Sequence, residues 1–131
     1  MANKTAFQFR YSYERDVTDI FLKVNIGAAG APTIASGNAK GVTSITRNSV
    51  GNYTILLQQP YNRLLEVDCQ SISGTSPQAA PLVTVQSEAV SSATAPTVRL
   101  AMRAADNTTA TDPASGEVLL IHIAVRNSSG Q

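Results

Sequence analysis

Few residues in this chain could carry chemistry. Among its 131 residues there is one cysteine, Cys69, one histidine, His122, and no tryptophan. A lone histidine cannot by itself build a catalytic triad or a usual zinc site. His122 therefore reads as a satisfied polar residue on a strand face. Cys69 excludes an intrachain disulfide, and its alternation with Leu65 and Val67 suggests a small buried hydrophobe. Glu66 and Asp68 are two carboxylates at a spacing that glycosidase or metal chemistry could use. No third ligand is recognisable nearby, and alternate positions put both on one exposed strand face. The glycines of GAAGAP (residues 27–32) follow a strand, but no helix pattern follows them. A dinucleotide site needs that helix N-terminus. There is no GxSxG elbow, no HExxH and no GxxxxGK[ST] loop. The expectation is a protein with no catalytic residues, no metal site and no cofactor.

Composition narrows the class further. Charged residues make up 15% of the chain, below the usual ~25%. The formal net charge is +1, and no basic run exists that could neutralise phosphates. No stretch approaches the ~18 apolar residues of a membrane span. The first residues, MANKTAFQFR, lack the apolar centre of a signal peptide, so synthesis and folding in a cytoplasm are expected. The Asn-x-Ser/Thr sequons at Asn3, Asn52, Asn107 and Asn127 read as chance matches in a chain rich in these residues.

The elements that must carry these residues are strands. The clearest local signal is Gly41 to Leu57, GVTSITRNSVGNYTILL, a predicted β-hairpin. Val42 to Thr46 is rich in β-branched residues, and Tyr53, Ile55 and Leu57 alternate with Thr54 and Leu56. Between them Asn48, Gly51 and Asn52 tolerate positive φ. Phe7, Phe9, Tyr11 and Tyr13 alternate with Gln8, Arg10, Ser12 and Glu14, which predicts a first strand. It holds four of the seven aromatic residues. It either covers the core or packs on a neighbour, so Phe7, Phe9, Arg10, Tyr11 and Tyr13 are the candidate partner-binding residues. Asp16 to Ile26 sets Ile20, Leu22, Val24 and Ile26 on one face and Phe21, Lys23 and Asn25 on the other.

Further strands are predicted over Arg63 to Ile72, Leu82 to Gln86 and Thr97 to Arg103. The last, Glu117 to Arg126, is nearly continuous in apolar residues, which predicts burial on both faces in a central position. The polar insertion Ala104 to Gly116 is long enough to be functional or mobile. About eight strands, with turns every 8 to 15 residues and no amphipathic helix, predict an all-β single domain. It would be an antiparallel β-sandwich, jelly-roll-like, or a small barrel. Residues 1–14 form its N-terminal strand or arm, 15–127 the sandwich domain and 128–131 a polar tail.

The hairpin and the following YNRLLEVDC (residues 61–69) resemble a family of small structural proteins of tailed bacteriophages. The segments Ile26 to Thr33 and DPASGEVL (Asp112 to Leu119) resemble the same group. The resemblance implies a β-domain attached to the virion, of capsid decoration or cement type. It would bind the major capsid protein on the outer capsid surface and self-associate as a homotrimer. No catalytic residues are implied. Another virion role, in a tail, fibre or head fibre, or a carbohydrate- or host-binding β-module, is the alternative expectation.

Overall fold

The computed structural model describes residues 17–35, 40–72, 82–104 and 106–127. Eight antiparallel strands are seen there: β1 (Val17–Ile26), β2 (Pro32–Ile34), β3 (Val42–Ser49), β4 (Asn52–Leu57), β5 (Arg63–Ile72), β6 (Leu82–Ala89), β7 (Thr97–Arg103) and β8 (Val118–Arg126). They form two four-stranded sheets, in the orders β2-β1-β8-β5 and β3-β4-β7-β6. These are called sheets A and B below. The sheets stay separate, so the fold is a β-sandwich and not a closed barrel.

Period-two alternation builds the core. Ile20, Leu22, Val24 and Ile26 of β1 and Leu119, Ile121, Ile123 and Val125 of β8 point inward from sheet A. Tyr53, Ile55 and Leu57 of β4 and Val98, Leu100 and Met102 of β7 meet them from sheet B. Each such side chain contributes roughly 1.5–3 kcal/mol by leaving water. The central strands β8, β4 and β7 carry most of these residues. The edge strands carry few, and Leu82 and Val85 of β6 remain 46% and 42% exposed.

Several expectations change in detail. The hairpin turn is only Val50-Gly51, since Ser49 pairs with Asn52. Gly51 alone takes positive φ there, at 70°, while Asn52 pairs with Ser49 and Asn48 sits at a register shift between Arg47 and Ser49. The short edge strand β2 lies between β1 and the hairpin, where no strand was predicted. A bulge at Leu65 shifts the β5 register between Leu64 and Glu66. Leu64, not Leu65, therefore joins Val67 and Cys69 against the core. β8 is central as expected, but the cover of its outer face is incomplete among the described residues: Ala124 is buried there while Leu120 is 40% exposed. The predicted strand from Phe7 to Tyr13 and the polar tail lie outside the described residues.

Ile123 is fully buried in the central strand of sheet A. Ile123→Ala should cost about 2–5 kcal/mol in urea unfolding, whereas Val85→Ala on the open edge should cost under about 1 kcal/mol.

Candidate functional site

The outer faces of the two sheets differ in chemistry. On sheet B, Thr46, Thr54 and Arg99 stand in one row across β3, β4 and β7. They belong to a polar mesh. Asn48 Nδ2 donates to Thr54 Oγ1 at 2.5 Å, Arg99 Nε to the same oxygen at 3.5 Å, and Asn52 Nδ2 to Gln86 Oε1 at 2.9 Å. That is a face built for water. On sheet A the cross-strand rows are Asp19–Ala124–Glu66, Phe21–His122–Asp68, Lys23–Leu120–Gln70 and Asn25–Val118–Ile72. Phe21 is 66% exposed, Ile72 50% and Leu120 40%.

At the middle of this face Phe21 stacks on the His122 ring, with centroids 4.7 Å apart and planes within 10°. His122 Nε2 lies 2.9 Å from Asp19 Oδ1, which fixes the ring from its other side. The polar role expected for His122 is thus met. Beside the stack is an open hollow of about 320 Å³, with Lys23, Asp68, Gln70 and Leu120 on its walls. Its lining is mostly apolar, so it suits an apolar or aromatic group rather than a charged substrate. Glu66 and Asp68 point outward on β5, as expected for alternate positions on an exposed strand face. No cluster of three metal-ligating side chains occurs among the described residues.

A second constellation joins distant loops at one end of the sandwich. Asp112 receives Arg47 Nε at 3.1 Å on each carboxylate oxygen and Arg47 Nη2 at 2.8 Å on Oδ2. The Gly51 N–H donates to Oδ1 at 2.8 Å. The buried Tyr53 hydroxyl lies 3.1 Å from the same oxygen and 2.8 Å from the Gly30 carbonyl, so its single proton has two acceptors. Gly30 sits at φ 74°, and a Cβ there would come 2.6 Å from Asp112 Cγ and 2.8 Å from Tyr53 Oη. Only glycine lets the turn Ala28–Gly30 approach so closely. Burial alone would raise the Asp112 pKa. The hydrogen bonds from Arg47, Gly51 and Tyr53, with the Arg47 charge, outweigh it and hold the carboxyl below its ordinary value. Burial, aided by Asp112, pushes the Tyr53 phenol upward.

This network also holds the long polar insertion in place. Thr111 N–H bonds Met102 O at 3.1 Å, and Ala104 N–H bonds Thr109 O at 2.9 Å. Asp106 accepts from the Thr108 and Thr109 N–H groups at 2.9 and 3.0 Å, closing a turn. Those bonds, Thr109 first, keep its carboxyl well below the usual range. The described part of the insertion is an anchored loop.

Two groups stand apart. Cys69 is half-buried rather than fully enclosed, beside a second hollow of about 310 Å³ between β5 and β6. Burial, with Asp68 beside it, pushes the thiol up to about 11, which leaves it a poor nucleophile. Glu117 is only 3% exposed, and neither carboxylate oxygen has a hydrogen-bond partner among the described residues. Burial raises its pKa. The nearby Ala114 backbone offsets only part of the rise.

Sequence reasoning missed the Asp112 network and the Phe21–His122 stack. The stack had a visible signal, since Phe21 is an aromatic residue on the polar side of the β1 alternation. The candidate partner-binding residues Phe7, Phe9, Arg10, Tyr11 and Tyr13 lie outside the described residues. No described helix is long and apolar enough to cross a membrane. In comparisons with protein-family models, curated proteins and solved structures, nothing matches this chain.

The two carboxylates give opposite pH dependences. The Asp112 pKa is lower folded than unfolded, so its contribution is complete above about pH 4 and is lost as pH falls through the folded value. Asp112→Asn should lower the thermal midpoint at pH 7 by several degrees, and the difference from the parent should shrink in acid. The Glu117 pKa is higher folded than unfolded, so its carboxylate costs stability as pH rises above about 4.3. Glu117→Gln should therefore raise the midpoint at pH 7, with the gain vanishing near pH 4 in the same thermal scans.

Proposed function

We propose that this protein is a non-enzymatic structural component of a tailed-bacteriophage virion, of capsid decoration type. It would seat on the major capsid protein at the outer capsid surface and stabilise the head, after synthesis in the host cytoplasm. Self-association belongs to this proposal, with three copies as the number that the resemblance implies.

The observation that carries it is where the resembling segments meet. Arg47, Gly51 and Tyr53 come from the hairpin, Gly30 from Ile26 to Thr33, and Asp112 from Asp112 to Leu119. Three of the segments that resemble the phage proteins thus converge on one carboxylate. The shared motif is then an architectural lock, which fits a family whose role is attachment and cohesion. Binding a repeated surface needs area and shape, with many identical copies adding avidity. A low-charge β-domain can supply both.

The test is a copy count in purified particles. Decoration predicts an abundance comparable to that of the major capsid protein, and a few copies per particle would instead indicate a tail or fibre component. Deleting residues 2–13 should reduce occupancy on capsids while the sandwich stays folded. Full occupancy with an intact fold would remove the N-terminal segment from the contact.

A further inference from the structure

We propose that the outer face of sheet A is a self-association surface, and that it pairs with the same face of a second copy of this chain. The starting point is β8. Its sequence, VLLIHIAVR, is apolar on both sides, the pattern of a strand covered on two faces. Among the described residues no element packs over the outer face, and Leu120 and the flanking Phe21 and Ile72 are left 40–66% exposed. The other sheet of the same molecule carries a hydrogen-bonded polar mesh in the equivalent place. Sheet B exposes Leu82 on its edge strand, whereas sheet A exposes Leu120 on its central strand, and sheet-on-sheet stacking is the packing that would bury the latter face.

The occupant follows from shape and charge on the face itself. Phe21, 66% exposed on β1, forms one rim of the hollow of about 320 Å³, which opens over β8 toward Asp68 and Gln70 of β5. A two-fold axis parallel to the strands lays β1 of each copy over β5 of the other. That operation keeps the rows in register: each Phe21 reaches the Asp68 edge of the opposite hollow, and each Lys23, one row along, lies over the opposite Gln70 with Asp68 beside it. A surface whose projection fits its own recess under a two-fold is what an isologous contact requires. The Lys23–Asp68 pair then occurs twice. Asp19 falls opposite Glu66, but its carboxylate is already engaged by His122 at 2.9 Å. Three strands of this length give a footprint of roughly 400 Å² per copy, from ~4.8 Å between strands and ~3.3 Å per residue. That size corresponds to a weak, concentration-dependent dimer. A face that pairs with itself closes at two copies. The contact is independent of the virion proposal and of any three-copy arrangement on a capsid.

The experiment is sedimentation velocity on the full chain from about 10 µM to about 1 mM, a range that brackets weak association. The parent should show a monomer–dimer equilibrium. Phe21→Ser should weaken it at least tenfold, and Leu120→Gln, a second outward substitution, should act in the same direction. Lys23→Glu and Asp68→Lys should each weaken it when alone. An equimolar mixture of those two single variants should recover parental association, because the mixed dimer restores opposite charges at both contacts. Thermal unfolding should leave all four variants folded, since every substituted side chain faces outward. A strictly monomeric parent at the highest concentration would overturn the proposal. So would a dimer indifferent to Phe21→Ser and Leu120→Gln, or a mixture no stronger than its components. A low copy number on particles, by contrast, would sink the virion proposal and leave this one standing.

Discussion

The Asp112 carboxylate is the constraint on which the rest of the structure turns. A half-buried charge is costly unless its partners are in place. Here the partners are a guanidinium on β3, a backbone N–H in the hairpin turn and a phenol on β4. The phenol in turn reaches the carbonyl of Gly30. The Arg47–Asp112 pair spans 65 residues of sequence. One carboxylate thereby sets the position of the β1–β2 turn, the tip of the β3–β4 hairpin and the approach to β8. The two glycines are part of the same constraint. Gly51 must present its N–H from a left-handed turn, and Gly30 must let a phenol and a carboxylate come against bare backbone.

How much of this was legible depends on how local the determinant was. Strands β1, β4, β7 and β8 were readable because alternation is a property of neighbouring residues, and a sheet with one buried face enforces it. The bulge at Leu65 was not readable. One extra residue inverts the facing of everything before it, and nothing in RLLEV marks the insertion. β2 was hidden because it is three residues long and begins with proline, which reads as loop. The Asp112 network was the least visible. Its members look like ordinary turn residues until the fold brings them together, and no spacing rule joins residues 30, 47, 53 and 112. The anchored state of the polar insertion is a consequence of that network and was equally out of reach. Phe21 was different: its place on the polar side of an amphipathic strand was plain in the sequence.

The two sheets divide the labour of the domain. Sheet B spends its central outer positions on threonine, asparagine and arginine that bond one another. Sheet A spends several of its own on apolar groups around a histidine held between a ring and a carboxylate. With so few charged residues in the chain, the contrast is one of hydrogen-bonding capacity more than of net charge. A protein whose two faces differ in this way has a defined orientation when it meets a surface. One side is tied together by its own hydrogen bonds, and the other leaves apolar side chains exposed.

The position of β8 also bears on how the chain acquires its shape. It is the last described strand, yet it lies at the centre of sheet A, between β1 and β5. Until it has left the ribosome, those two strands have no common neighbour, and β1 has only the short β2 beside it. Nearly every stabilising pairing of sheet A is therefore long-range in sequence, the kind of contact that slows folding. The hairpin β3–β4 can form early, but it waits on β7, and the Asp112 lock waits on the loop before β8. The molecule is thus assembled late and nearly at once. A nascent chain interrupted before residue 118 would hold its apolar strands open to one another and to their neighbours on the polysome.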